Sequence, residues 1–236
     1  YRGAGRPEAA YILERMIDLS AEELKLDRVN IRRRNIIAAS AMPYQTGLTF
    51  QYDSGEFEKN MDIVLEAADV ENFDARQHKS EANNKLRGFS VIHMIESAGA
   101  PRPEHAEIRF NASGSLTLLV GTKAQGQGHD TMYKIMLSDI LGIDADNIRV
   151  VDGDTDKVTY GMGTIGSRSA LTGGGAVHGA ANKLIVKGTK IAAHMMEAAT
   201  TDIEFANGFF KVTGTDKQVG IQDVARAAFN PILLPR

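Results

Sequence analysis

The chain has 236 residues, a net charge of −3 and no cysteine. This length suits one large domain or two modest ones. The near-neutral charge gives no reason to expect nucleic acid or anionic lipid as a partner. The missing thiols exclude disulfides, iron–sulfur ligation and a cysteine nucleophile within these residues. A cytoplasmic location fits the absence of cysteine, and we expect no membrane span because no apolar run approaches the ~20 residues that a membrane-spanning helix needs.

Helical patterns dominate the beginning of the chain. Pro7 suits the first turn of a helix, and apolar residues recur behind it at helical spacing. Ser20 and Glu23 are three residues apart, the spacing of a capping box, which predicts a short second helix. Asp27 predicts the N-cap of a third helix that runs to about Asn35.

The next residues predict a domain boundary. Residues 38–55 read as loop, and the apolar residues from Phe57 to Ala68 predict an amphipathic helix. Residues 71–87 are polar and predict a solvated helix or a linker. We therefore expect a mostly helical domain over 1–86 and a second domain over 87–236.

Strand patterns appear in the second domain. The predicted strands are Phe89–Ile95, Glu104–Phe110, Ser115–Val120 and Ile148–Val151, with a hairpin formed by Ile203–Phe205 and Phe209–Thr213. The predicted helices are Asp130–Leu141, Ala176–Ala199 and Gln222–Phe229, with Gly142 as the stop of the first. Strands and helices in this order predict an α+β fold, with mixed sheets and helices packed on one face.

The most informative stretch is the glycine loop at 121–130, between a predicted strand and a predicted helix. Gly126 and Gly128 allow main-chain amides to approach a ligand, and the helix adds free amides and a positive dipole end. The alternative is a tight strand–helix turn, but Gln125 and Gln127 are not needed for a turn. The loop has neither the phosphate-binding lysine motif nor the third glycine of the dinucleotide fingerprint. Anion binding, to a phosphate or pyrophosphate, is the favoured interpretation.

A second glycine loop covers 161–175 and again leads into a helix. Arg168 would offer a planar charged fork to a phosphate or carboxylate, and the alternative is a flexible connection. A third candidate is the loop Arg2–Arg6 in front of the first helix, whose small residues and arginines could approach an anion. The six histidines show no metal-binding spacing, so we predict no protein metal ligand.

These segments, in this order, resemble the molybdopterin-binding part of the large subunit of the xanthine oxidase family. That family also contains aldehyde oxidases and aerobic carbon monoxide dehydrogenases. The motifs that carry the resemblance are Tyr1–Ala9, Asp27–Arg32 with Asn35, Tyr52–Gly55, Gly121–Lys123 with Gln125–His129, Tyr160–Thr164, and Gly166–Ser169. They cover nearly the whole chain, and the likeness is nearest to the carbon monoxide dehydrogenase-like branch.

The resemblance implies a set of site residues. The residues that would hold the pterin cofactor are Gln125, Gly126, Gln127, Gly128, His129, Gly166, Ser167, Arg168 and Ser169. Arg2 would lie close to the metal centre. The implied cofactor is molybdopterin with molybdenum, often as the cytosine dinucleotide in bacteria, and electrons would pass to 2Fe–2S clusters and FAD on partner subunits.

Two departures from the family pattern narrow the expectation. Carbon monoxide dehydrogenases carry a copper-binding cysteine in the loop that corresponds to Arg2–Arg6, where this chain has Gly3. Carbon monoxide is therefore not the expected substrate. The family's catalytic glutamate has no match in this sequence.

We therefore expect a fragment of a molybdenum hydroxylase large subunit, inactive in isolation. Its parent would hydroxylate a small aldehyde, heterocycle or related substrate with oxygen from water, within a dimer of heterotrimers. The alternative is a non-catalytic module of the same fold that binds a cofactor or another phosphorylated ligand, or that serves assembly.

Overall fold

The computed structural model describes residues 3–99 and 102–234, with only the backbone of Leu233. The chain divides into two compact units, Tyr1–Glu96 and Ser97–Arg236. The described residues form an α+β fold, as the sequence predicted. Among them, no helix is both long and apolar enough to cross a membrane.

The first unit begins with two helices, α1 (Arg6–Glu23) and α2 (Arg28–Asn35). Asp27 caps α2, because its carboxylate accepts hydrogen bonds from the amides of Val29 and Asn30. The helix break predicted at Ser20 was wrong. The Ser20 hydroxyl donates to the carbonyl of Met16 at 2.8 Å, one turn back, so it cannot cap a new helix and α1 continues past it.

A buried arginine joins these two helices. Arg32 on α2 is 4% exposed and meets the carboxylates of Glu14 at 2.7 Å and Asp18 at 2.9 Å on α1. Its guanidinium also donates to the Glu14 carbonyl. Since a buried charge needs partners on most of its donors, this cluster fixes α2 against α1.

The rest of the first unit contains a small hairpin and two further helices. Strand β1 (Tyr44–Gln45) pairs antiparallel with β2 (Gln51–Tyr52), and α3 (Phe57–Ala67) follows, as predicted. Helix α4 (Phe73–Glu81) occupies the polar stretch.

The strand predicted over Phe89–Ile95 was wrong. Exposure alternates from residue 89 to residue 94, which explains the prediction, but no described strand pairs with the segment. A strand exists only through hydrogen bonds to a neighbour, and a sequence pattern cannot supply that neighbour.

The second unit is built on a three-stranded mixed sheet. Strand β3 (Ala106–Phe110) pairs antiparallel with β4 (Leu116–Val120), and both strands lie where the sequence predicted them. Next along the chain is α5 (His129–Leu141), which ends at the left-handed Gly142, and then β5 (Ile148–Val151), which lies parallel to β4. The sheet order is β3-β4-β5, so α5 is the crossover between two parallel neighbours.

A long helix and a second sheet complete the unit. A π-helical turn over Ser169–Gly173 leads into α6 (Gly174–Met196). Strands β6 (Ile203–Ala206) and β7 (Phe209–Val212) form the predicted hairpin, and β8 (Gln218–Gly220), which the sequence did not predict, pairs with β7. Helix α7 (Ile221–Ala227) follows.

One apolar core holds the second unit together. Alternate residues of β4 and facing residues of α5 and α6 are fully buried: Leu116, Leu118, Val120, Tyr133, Leu137 and Val177. Both helices thus cover one face of the sheet. The loops that precede these helices lie at the carboxyl end of β4. In sheets that are helix-covered in this way, that edge is where ligands commonly bind.

Candidate functional site

The first glycine loop runs from the end of β4 to the start of α5. Gly126 has φ of +103° and Gly128 of +78°, and a Cβ at either position would meet nothing within 4 Å. Glycine is therefore required there for backbone conformation rather than for space. Residues 125–128 are exposed, and the side-chain oxygen of Gln127 accepts from the Gln125 amide at 2.6 Å.

Helix α5 begins behind this loop without a side-chain cap. Its N-cap residue is Gly128, so among the described residues no side chain serves the first amides of the helix. His129 at the first position is 4% exposed, and its Nδ1 is buried with no hydrogen-bond partner in the described part of the chain. Burial lowers the pKa of His129, while the charge of Asp152 opposes that shift. His129 is therefore neutral near pH 7.

The second loop also contains left-handed residues. Gly163, Gly166 and Ser167 have φ of +76°, +56° and +57°. For Ser167 this conformation costs about 1 kcal/mol or more, because a Cβ crowds the following carbonyl. Gly166 and Ser167 are exposed, whereas Arg168 and Ser169 are buried. The loop thus offers its tip to solvent and anchors its end in the protein.

The structure brings the two predicted loops together. Gly121 and Gly161 lie back to back, and a Cβ on Gly121 would be 2.5 Å from the Cα of Gly161. The Gly163 amide donates to the Gly121 carbonyl at 3.2 Å. The Thr164 hydroxyl accepts from the Lys123 amide at 3.1 Å and donates to its carbonyl at 2.7 Å. These bonds make the two loops one layer.

Tyr133 supports this layer from below. Its ring is fully buried in the core, and its hydroxyl hydrogen-bonds with Thr122 at 2.8 Å and donates to the Ser169 carbonyl at 3.0 Å. Burial raises the pKa of the Tyr133 phenol. A Cβ on Gly173 would lie 2.5 Å from that hydroxyl, so the π-helical turn needs glycine there. The phenol thus connects the first loop with the start of the helical segment.

Arg168 has a different environment from the one that its sequence pattern suggested. Its side chain is fully buried and forms an ion pair with the fully buried carboxylate of Glu104. The guanidinium also donates to the carbonyls of Gly163, Arg102 and Pro103 at 2.9–3.1 Å. Its fork is directed into the protein, which indicates support of the loop rather than direct contact with an anion.

The other cation at the loops is paired as well. Lys123 Nζ lies 3.7 Å from the carboxylate of Asp152, which also accepts from the Ala124 amide at 2.5 Å. Besides Lys123, whose side chain is half exposed, the donors that the two loops present to solvent are main-chain amides and neutral side chains. An uncapped helix, left-handed glycines and an orphaned buried imidazole nitrogen fit the phosphate tail of an organic cofactor.

Two further predictions concern Arg2 and metal binding. Arg2 lies outside the described residues. Among residues 3–99 and 102–234, no three His, Asp or Glu side chains come together to hold a metal ion.

Sequence reasoning missed three residues of this site. Glu104 was read only as the start of a strand, Tyr133 as part of a helix, and Thr164 as part of a family motif without a role of its own. Each acts through contacts with residues at least 11 positions away, and a single sequence gives no signal for such pairs.

Comparison with known proteins identifies the family. The pattern of the molybdopterin cofactor-binding domain matches residues 63–233, and a second pattern of the same description matches residues 1–36. The chain belongs to the molybdopterin cofactor-binding domain family. The resemblance to large subunits of the xanthine oxidase family, predicted from the two glycine loops and the other motifs along the chain, is confirmed.

Individual members of the family cover nearly all of this chain. It is 36% identical to the carbon monoxide dehydrogenase large chain of Hydrogenophaga pseudoflava, over 94% of this chain and 30% of that protein. It is 32% identical to subunit gamma of the 6-hydroxypseudooxynicotine dehydrogenase complex of Paenarthrobacter nicotinovorans, over 96% and 29%. The structure of reconstituted CO dehydrogenase from Oligotropha carboxidovorans matches with a TM-score of 0.76 and 34% identity, over 95% and 30%. The chain thus spans about 30% of the length of these relatives.

Proposed function

We propose that this chain forms part of the cofactor-holding region of a molybdenum hydroxylase large subunit. The observation that supports the proposal most directly is the joined pair of glycine loops at the starts of α5 and the segment leading into α6. Main-chain amides at these two bends would hold the phosphate or pyrophosphate tail of molybdopterin. The sequence similarity to the carbon monoxide dehydrogenase large chain and to subunit gamma of the 6-hydroxypseudooxynicotine dehydrogenase complex supports the same assignment.

The proposed contacts differ in kind along the two loops. The exposed residues Gln125–Gly128, with Gly166 and Ser167, would offer amides and neutral polar groups to the tail. His129, Arg168 and Ser169 are buried and would support these contacts from behind. Arg2 close to the metal centre remains a proposal that rests on the family resemblance alone.

The chemistry, partners and substrate class that we propose for the parent enzyme are those that the family resemblance implies. The bound molybdenum would supply the redox chemistry, and the protein's contribution would be binding and orientation. A cytosine dinucleotide form of the cofactor, 2Fe–2S and FAD partner subunits, a dimer of heterotrimers, a cytoplasmic location, and a small aldehyde or heterocycle as substrate are all part of this proposal.

Metal and cofactor analysis of the polypeptide purified with its partners from its native host would test the proposal. We expect stoichiometric molybdenum and pterin, with cytidine monophosphate released on acid hydrolysis if the tail is the cytosine dinucleotide. A folded, intact complex that carries neither molybdenum nor pterin would contradict the proposal. If that complex still bound pyrophosphate, the non-catalytic phosphate-binding module of the same fold would be the better assignment.

A further inference from the structure

The carboxylate of Glu104 lies at the junction of the two glycine loops. It is fully buried, and one oxygen forms the ion pair with Arg168 on the second loop. The other oxygen accepts from the amide of His105 at 3.0 Å and from the amide of Met162 at 3.4 Å. One side chain thus contacts the second loop at two positions, six residues apart.

Glu104 also contacts the first loop. A Cβ on Gly121 would overlap a carboxylate oxygen of Glu104, so glycine at that position leaves the space that the carboxylate fills. The Gly121 amide donates to the His105 carbonyl at 3.0 Å, which continues the pairing of β3 with β4 by one residue. Both loops therefore contact the two residues in front of β3, Glu104 and His105.

Arg168 completes the arrangement. Besides its ion pair with Glu104, the guanidinium of Arg168 donates hydrogen bonds to the carbonyls of Gly163, Arg102 and Pro103. These bonds connect the middle of the second loop to the segment that carries Glu104. The buried charges are balanced, but Arg168 Nε has no hydrogen-bond partner in the described part of the chain. Loss of the carboxylate would leave a buried cation uncompensated, which is strongly unfavourable.

We propose that Glu104 is a positioning residue for anion binding, which acts through Arg168 to hold the main-chain amides of the exposed residues Gly166 and Ser167 in place. The proposal rests on the proposed function, because the anion is the phosphate tail of the cofactor. Since Ser167 is held in a left-handed conformation that a free loop would leave, the loop needs such an anchor. Without it, binding would include the cost of ordering the loop.

The test compares the full 236-residue chain with the variant Glu104→Gln, which keeps the shape of the side chain and removes its charge. Inorganic pyrophosphate is the probe, titrated while amide NMR signals of both loops are followed, because this method measures weak affinities. Amide hydrogen exchange of residues 161–169 is measured on the protein without pyrophosphate. We expect at least fivefold weaker binding and at least tenfold faster exchange in this segment for the variant.

Glu14→Gln is the matched control, because Glu14 also pairs with a buried arginine, Arg32, but in the first unit. We expect it to lower thermal stability and to leave both pyrophosphate affinity and exchange at 161–169 unchanged. If Glu104→Gln does not fold, Arg168→Lys carries the same two measurements, since it keeps the charge and loses the fork that reaches three carbonyls. Its expected effects are in the same direction.

The two proposals fail in different ways. If the wild-type chain does not respond to pyrophosphate at either loop, the proposed function is contradicted, and the exchange measurement still decides whether Glu104 holds the loop. If the wild type binds and the Glu104 variant binds equally well with unchanged exchange, the positioning role is wrong and the proposed function stands. A lower melting temperature with unchanged affinity would likewise assign Glu104 a purely structural role.

Discussion

Gly121 and Gly161 touch through their backbones, and this contact joins the two glycine loops. A Cβ on Gly161 would overlap the carbonyl oxygen of Gly121, and a Cβ on Gly121 would lie 2.5 Å from the Cα of Gly161. Neither residue has a φ in the left-handed region. Glycine is therefore needed at these positions for close approach, in contrast to Gly126 and Gly128, where it is needed for conformation.

The first prediction concerns this contact. Gly161→Ala should destabilise the second unit by about 1–3 kcal/mol, because the added methyl forces the backbones of the two loops apart. It should also weaken pyrophosphate binding at the loop tips. Urea denaturation measures the first effect and NMR titration the second.

Gly179→Ala is its control, since Gly179 lies within α6 and a Cβ there meets nothing within 4 Å. Alanine in a helix interior should stabilise the protein by about 0.5–1 kcal/mol. A Gly161 variant as stable as the wild type would show that the loops separate without cost.

The local parts of the fold were predictable because their causes are local. Asp27 caps α2 through its nearest amides, and the turn at Asn207-Gly208 fixes the register of β6 and β7. The glycine loop in front of α5 was predicted for the same reason, since glycine spacing and helix periodicity both act over a few residues.

The features that the sequence predicted wrongly or missed depend on context that a local pattern does not contain. Ser20 shows a capping-box pattern, but its hydroxyl donates to a carbonyl of the preceding helical turn. Whether a serine caps a new helix or bonds to the preceding turn depends on whether the chain is already helical there. The segment 89–95 has strand periodicity without a neighbouring strand. Arg168 was predicted to offer its planar charged fork to a phosphate or carboxylate, and only the fold shows that Glu104, 64 positions earlier, neutralises it.

The second prediction is that Tyr133→Phe loosens the join between the loops. The change removes the hydroxyl that bonds Thr122 and Ser169, and it leaves their polar atoms buried without that partner. We expect a loss of about 1–3 kcal/mol in the free energy of unfolding, measured by urea denaturation. Tyr11→Phe is the control, because Tyr11 is 72% exposed, and its stability should stay within about 0.5 kcal/mol of the wild type.

The third prediction separates backbone conformation from side-chain contact at Gly128. Since a Cβ there meets no atom within 4 Å but φ is +78°, Gly128→Ala should cost about 1–2 kcal/mol from left-handed strain alone. Gly128→Asn should cost less, because asparagine tolerates this region better. Equal melting temperatures for the alanine and asparagine variants would contradict a conformational role for this glycine.

The fourth prediction is a pH dependence of stability that originates at His129. Burial lowers the pKa of this imidazole below its ordinary value of 6.5. In the unfolded chain the imidazole takes up a proton near that ordinary value, whereas in the folded protein it does so only at lower pH. Between those two pKa values the unfolded state binds more protons, so the free energy of unfolding falls as pH decreases. The contribution of His129 is therefore fully present above about pH 6.5 and is lost on acidification towards the folded-state pKa.

His129→Gln tests this pH dependence, because glutamine is polar and does not titrate. We expect the variant to be less stable at pH 8, since it replaces a packed ring that contacts Tyr133, but its stability should change less between pH 7 and pH 5 than that of the wild type. His178→Gln serves as the control because His178 is exposed, and it should keep the wild-type slope. The decisive quantity is this slope, obtained from urea denaturation at several pH values. An identical slope in wild type and His129→Gln would contradict this prediction, because it would mean that the imidazole is protonated equally in the folded and unfolded chain.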